Sequence, residues 1–135
     1  MPAWLTLPAW MMVGIGGFVG AIARFHLSGW LSEWSEKQYG RVYPIGTLAV
    51  NVLGCLLIGL LMTLAEHKRL SVDVQRLLVT GCLGSLTTFS TFGLDTINLF
   101  REDKPGLGAI YVFANLAIGL AAVGAGIGIG RLLTR

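Results

Sequence analysis

The chain has 135 residues, of which 54% are hydrophobic, 13% charged and 19 glycine, with a mean hydropathy of +0.72, which excludes a soluble domain of ordinary composition. Four membrane spans of roughly 20 residues, each crossing about 30 Å of hydrocarbon, use about 80 residues and leave no room for a soluble catalytic domain. Ten basic and seven acidic side chains give a net charge of +3, but no basic run suits a nucleic acid.

The first span is expected over residues 10–31. Trp10 and Trp30 stand twenty positions apart, about 30 Å along a helix, which suits the two interfacial aromatic belts. No Lys or Arg precedes Arg24 and no small-residue cleavage site follows a short apolar core, so this segment is expected to be retained and not removed as a signal peptide. Gly16 and Gly20 form a GxxxG pair suited to close helix packing. A polar stretch with Glu33, Glu36, Lys37 and Arg41 leads to Pro44, a good first residue for a second helix over residues 44–65. In that span Thr47, Asn51 and Gly54 follow i, i+4, i+7 and share one face, which suits either a polar path or hydrogen-bonded helix packing.

The third span, residues 77–100, departs furthest from an ordinary transmembrane helix. Gly81, Gly84, Ser85, Thr87, Thr88, Ser90 and Thr91 occupy its middle, and that density of glycine and hydroxyl groups predicts a break. Broken backbone at membrane depth survives only where protein or a cavity satisfies it, and such breaks often bind ions. Phe89 and Phe92 follow at i, i+3; their ring edges carry partial positive charge, so beside amide and hydroxyl donors they could line a neutral path for a small anion. The fourth span, residues 107–130, carries Tyr111, Asn115 and Gly119 as a second polar track, and Gly124, Gly126, Gly128 and Gly130 as packing positions. Arg24 and Asp95, the ionisable residues within the spans, lie nearer the ends, where snorkelling lowers their cost. Arg24 could also draw anions into a vestibule. Cys55, Cys82, His26 and His67 show no metal-ligand spacing, and each cysteine is expected as a small buried hydrophobe.

An even number of spans puts both termini and the second loop on one side, with Lys68, Arg69, Arg76, Arg131 and Arg135. The other side carries Lys37, Arg41, Arg101 and Lys104, with Arg24 near its interface. Orientation normally follows a Lys/Arg excess on the cytoplasmic side, so this balance predicts insertion both ways. Four short helices enclose a solvated path poorly. A homodimer of oppositely oriented copies resolves both observations.

Three segments then carry a resemblance: GGFVGAIARF at residues 16–25, PIGTLAVNVLG at residues 44–54 and, most specific, GCLGSLTTFSTF at residues 81–92. Over essentially its whole length the chain resembles the Fluc (CrcB) family of bacterial fluoride channels. The resemblance implies an all-α membrane protein of the bacterial inner membrane, an antiparallel dual-topology homodimer with two fluoride pores, and a sodium ion at the dimer centre. It makes Asn51 a pore-lining amide, Phe89 and Phe92 the rings whose edges face fluoride, Arg24 a vestibule residue, and Thr88 and Ser90 part of the same signature. The backbone carbonyls of Gly84 and Thr87 become the sodium ligands, and Tyr111 and Asn115 the fourth-helix track. Relatives often carry serine where Asn115 stands, some carry it at Gly119, and many have a glutamate at Asp95. The expected function is passive fluoride efflux that lowers toxicity, without enzymatic activity. The rival from another class, a small dual-topology proton-coupled multidrug antiporter, needs a carboxylate in the first span, and residues 10–31 contain none.

Overall fold

The computed structural model describes residues 7–40 and 43–135; Arg41, counted above among the loop charges, lies outside them. Four helical segments are long and apolar enough to cross a membrane: Ala9–Tyr39, Ile45–Glu66, Val72–Arg101 and Pro105–Leu133. We label the first two α1 and α2. The third divides into α3, residues 72–86, and α4, Phe89–Arg101, and the last is α5, Pro105–Leu133. The chain is an all-helical, multi-pass membrane protein whose third span is broken.

Helix α1 is longer than its apolar stretch. At 31 residues it runs about 46 Å, well beyond the hydrocarbon, because a polar sequence such as Ser32 to Gln38 stays helical in water. It ends where Gly40, at φ 68°, takes the left-handed conformation and donates its N–H to the Glu36 carbonyl. Ser35, fully buried, fixes the turn that follows: its hydroxyl donates to the Ser32 carbonyl (2.8 Å) and accepts from the Tyr43 N–H (3.1 Å). Trp34, Tyr39 and Tyr43 pack edge to face at this end, beyond the expected span. Pro44 sits one position before α2 as its N-cap, whereas Pro105 is the first-turn proline of α5.

The helices pack as two intimate pairs, and glycine makes both possible. A Cβ on Gly16 would lie 2.0 Å from the Leu77 carbonyl oxygen and one on Gly20 2.1 Å from that of Cys82, so α1 and α3 touch backbone to backbone. A Cβ on Gly59 would meet Val123 O at 2.3 Å and one on Gly126 would meet Leu56 O at 2.1 Å, which locks α2 to α5 in the same way. The two glycine pairs of α5 therefore differ. Gly126 and Gly130 face α2, while Gly124 and Gly128 face open space. Val50, Leu83 and Leu86 form the small core where α2 meets α3.

Ser71 opens α3 as its N-cap, accepting from the Val74 N–H, and residues Arg76–Leu83 are wound as a π-helix. Nothing in the sequence reading anticipated that winding. It stands against α1, where Gly81 lies so close that a Cβ would sit 2.6 Å from the Val13 carbonyl. After a last turn, Gly84–Leu86, the backbone extends at Thr87 (ψ 155°) and Thr88 (ψ 116°) before α4 begins. The break thus falls at the middle of the 30-residue span, within the predicted glycine- and hydroxyl-rich centre.

Candidate functional site

A break at membrane depth frees backbone groups that hydrocarbon cannot satisfy, and here one side chain takes up most of the debt. The Thr88 N–H, which in a continuous helix would close onto Gly84, donates instead to Asn51 Oδ1 at 2.9 Å. Asn51 Nδ2 in turn donates to the Thr88 carbonyl at 3.3 Å. The amide of α2 therefore clamps both polar groups of one residue in the break. The hydroxyls divide the remaining work. Thr87 Oγ1 bonds back to the Leu83 carbonyl of its own helix, while Thr88 Oγ1 caps α4 by accepting from the Thr91 N–H and also contacts the Ser90 and Thr91 hydroxyls.

The clamp is the start of a longer network. Asn51 Nδ2 also donates to Asn115 Oδ1 (3.3 Å), and Asn115 Nδ2 donates to the Tyr111 carbonyl (3.0 Å). Farther along, Asp95 Oδ2 accepts from the Thr47 hydroxyl at 2.8 Å and from the buried Tyr111 hydroxyl at 3.2 Å. This corrects the expectation that Asp95 snorkels: its short side chain points into the protein and ties α2, α4 and α5 together. The spacing of Thr91, Asp95 and Asn98 at i, i+4, i+7 was the available signal, since it puts all three on one face of α4.

Two cavities meet at Thr88, which lines both. The first, of about 370 Å³, is a groove beside the break, walled by Asn51, Gly54, Cys55, Gly84, Thr87, Phe89, Phe92 and Asn115, with Ile58, Val79, Leu83 and Leu116 as its apolar sides. The second, of about 570 Å³, opens among Arg24, Ser28, Thr47, Thr91, Asp95, Asn98 and Glu102, a polar vestibule with both signs of charge. Of the residues singled out from sequence, Asn51, Asn115, Thr88, Phe89 and Phe92 converge on the groove and Arg24 lines the vestibule. Gly84 and Thr87 join the groove wall. Ser90 and Tyr111 line neither cavity; Ser90 joins the site through its hydrogen bond to Thr88, and Tyr111 through its hydroxyl on Asp95 and its ring beside Phe92. Sequence reasoning missed Thr47 as the partner of Asp95, and it expected both cysteines to be buried, whereas Cys55, on the groove wall, and Cys82 are each only half-buried.

The aromatic pair has unequal surroundings. Phe92 packs beside Tyr111 with ring centroids 5.6 Å apart, whereas Phe89, 5.6 Å from Phe92, is 82% exposed in the single subunit. No group of three His, Cys, Asp or Glu is gathered among the described residues.

Comparison with known proteins bears on this arrangement. Residues 11–127 match the family described as CrcB-like protein, Camphor Resistance (CrcB). A relative from Rhizobium etli, named fluoride-specific ion channel FluC, is 41% identical over 124 residues, covering 91% of this chain and 96% of its own. Proteins of the same name from Agrobacterium fabrum (43% over 123 residues, 90% and 95% covered) and Oceanobacillus iheyensis (43% over 117 residues, 84% and 86% covered) are similar to it as well. With the broken span and its groove inside the matched region, the chain belongs to the CrcB-like family.

Proposed function

We propose that the protein is a fluoride-selective channel, and no enzyme, that lets fluoride leave the cytoplasm passively through the bacterial inner membrane. The observation that carries this reading is the convergence, at a mid-span break, of two phenyl rings and two amides on one groove with no charged side chain in its wall. Fluoride is small and strongly hydrated, so a narrow path must replace water with closely placed donors. A neutral lining does so without trapping the ion, as a buried lysine would. Ring edges supply partial positive charge, and the α4 N-terminus aims its dipole at the break. Arg24, half-buried on the vestibule wall, raises the local anion concentration. Fluoride efflux from liposomes holding only this protein, read with an ion-selective electrode, is expected to exceed chloride efflux by orders of magnitude; equal rates would sink the reading. The antiporter alternative gains nothing from the geometry, because the first acidic residues of α1, Glu33 and Glu36, are exposed on its polar extension.

The functional unit in this proposal is an antiparallel homodimer. One subunit leaves Phe89, Gly84 and Leu116 exposed along the groove, and the near-equal basic counts allow both orientations. A second, inverted copy closes the groove and encloses a path that four helices alone leave open. Single-cysteine labelling of loop positions in intact cells should find each loop accessible from both sides, and labelling from one side only would refute dual insertion. Two or three lysines added to one loop should bias insertion and lower activity by making the inverted partner scarce.

A sodium ion fits the break as a structural ligand. Because Asn51 takes the Thr88 N–H, the Gly84 carbonyl is released from its helical partner, and Gly84 is exposed, with no atom closer than 3.9 Å to a Cβ built there. Thr87, in extended backbone on the same wall, offers the second oxygen. Unwound carbonyls of this kind suit sodium, and two from each copy would form the cage. In a structure of the dimer, density on the axis should touch the Gly84 and Thr87 oxygens; an axis filled by side chains would refute the assignment.

A further inference from the structure

Helix α2 grips two consecutive residues of the break from two positions on one of its faces. Asn51 holds the polar groups of Thr88, and Gly54, three residues on, lies against Thr87. A Cβ built on Gly54 would stand 2.1 Å from Thr87 Cγ2, far inside van der Waals contact, and 3.6 Å from Thr87 Cβ, an ordinary contact. The missing side chain of Gly54 is therefore a notch of about one methyl, and the Thr87 methyl fills it. This glycine differs from those that join the helices. At Gly16, Gly20, Gly59 and Gly126 the nearest obstacle is the backbone of a neighbouring helix, whereas at Gly54 it is the tip of one side chain. That tip is not free to turn aside. Thr87 Oγ1 donates to the Leu83 carbonyl at 3.1 Å, the same oxygen that accepts the Thr87 N–H at 3.1 Å. Methyl and hydroxyl share one β-carbon, so a rotation that withdraws the methyl carries the hydroxyl off Leu83. The alternative is to shift the backbone at Thr87, which is already extended and one peptide from the Asn51 clamp.

We propose that Gly54 is a positioning residue for the ion path: its notch seats the Thr87 methyl, and notch and hydroxyl together hold the break in the shape that the groove requires. This rests on the channel reading above and adds the contact that shapes the channel wall. Gly54 and Thr87 both line the groove, with Asn51 and Phe89, so displacing either one alters the wall that the anion passes. The pairing also accounts for threonine at residue 87. Serine there would keep the bond to Leu83 and leave the notch empty, while valine would fill the notch and lose the bond.

The test moves one methyl across the contact, in the full chain reconstituted in liposomes with fluoride as the probe. Gly54→Ala is expected to lower flux per folded protein by about tenfold or more, with the protein still monodisperse by gel filtration. Thr87→Ser, which empties the notch, is expected to lower it by about two- to threefold. Gly54→Ala combined with Thr87→Ser restores the total volume, with the methyl now on α2, and is expected to bring flux back to the level of Thr87→Ser alone. A glycine needed only for helix packing would show no such dependence on residue 87. Should Gly54→Ala alone fail to fold, the combined variant decides: folding and conducting like Thr87→Ser supports the contact. A combined variant that fails to fold, or that conducts no better than Gly54→Ala, overturns it, and so does parental flux in Gly54→Ala. Absence of fluoride flux in the parent overturns the channel reading itself, so the two failures are distinguishable.

Discussion

Phe89→Ile and Phe92→Ile are each expected to lower fluoride flux by about a hundredfold or more in protein that remains folded, which corresponds to roughly 3 kcal/mol at the barrier-setting step. If the rings only pack, exchanging phenyl for an aliphatic group of similar bulk is usually mild, and flux per folded protein survives. Phe89 is 82% exposed in the subunit, so the chain itself has little packing to lose there. Its ring, tilted 51° to that of Phe92 across 5.6 Å, instead stands on the groove wall beside Asn115 and Thr88. An aliphatic side chain offers a partly dehydrated anion no positive edge. Flux by electrode and monodispersity by gel filtration, measured on the same preparation, separate the two roles. Near-parental flux in both variants would leave the pair as packing residues.

Asn51→Asp is expected to abolish flux, and for a reason that the geometry makes specific. One carboxylate oxygen can still accept from the Thr88 N–H, so the substitution spares half of the clamp. The other oxygen replaces a donor and faces two acceptors, the Thr88 carbonyl and Asn115 Oδ1, both of which Nδ2 now reaches at 3.3 Å. That leaves a negative charge against oxygens on the wall of the groove, where low dielectric magnifies its repulsion of an anion. The expected loss is about a hundredfold or greater at neutral pH. Rates within a few-fold of the parent would show that Asn51 neither shapes the break nor faces the path.

Much of this site was legible in the sequence, and what was not has a common cause. The cluster from Gly81 to Thr91 marked the break because glycine and hydroxyl groups rarely gather in hydrocarbon without a reason, and Thr47, Asn51 and Gly54 fell on one face by spacing alone. Span ends were less readable. Hydropathy reports where hydrocarbon ends, not where a helix ends, so α1 continued to Tyr39 past the expected Leu31. The π-helical turns of α3 left no pattern, because they answer to the backbone of α1 at Gly16 and Gly20. Asp95 was misjudged for the same kind of reason. Its partners Thr47 and Tyr111 are 48 and 16 positions away, and only the tertiary packing of α2, α4 and α5 brings the three together.

In the proposed mechanism fluoride crosses this protein alone and uncoupled. Liposomes loaded with potassium fluoride and diluted into fluoride-free buffer test it in one measurement, because an uncoupled anion leaves a charge behind that soon halts its own efflux. Efflux through a channel is expected to stall after a small initial release, to run to completion within seconds once a potassium ionophore supplies the balancing charge, and to be indifferent to an imposed proton gradient. Rapid, complete efflux without the ionophore, or a rate that follows the proton gradient, would mean that fluoride moves together with another ion and would contradict the channel mechanism.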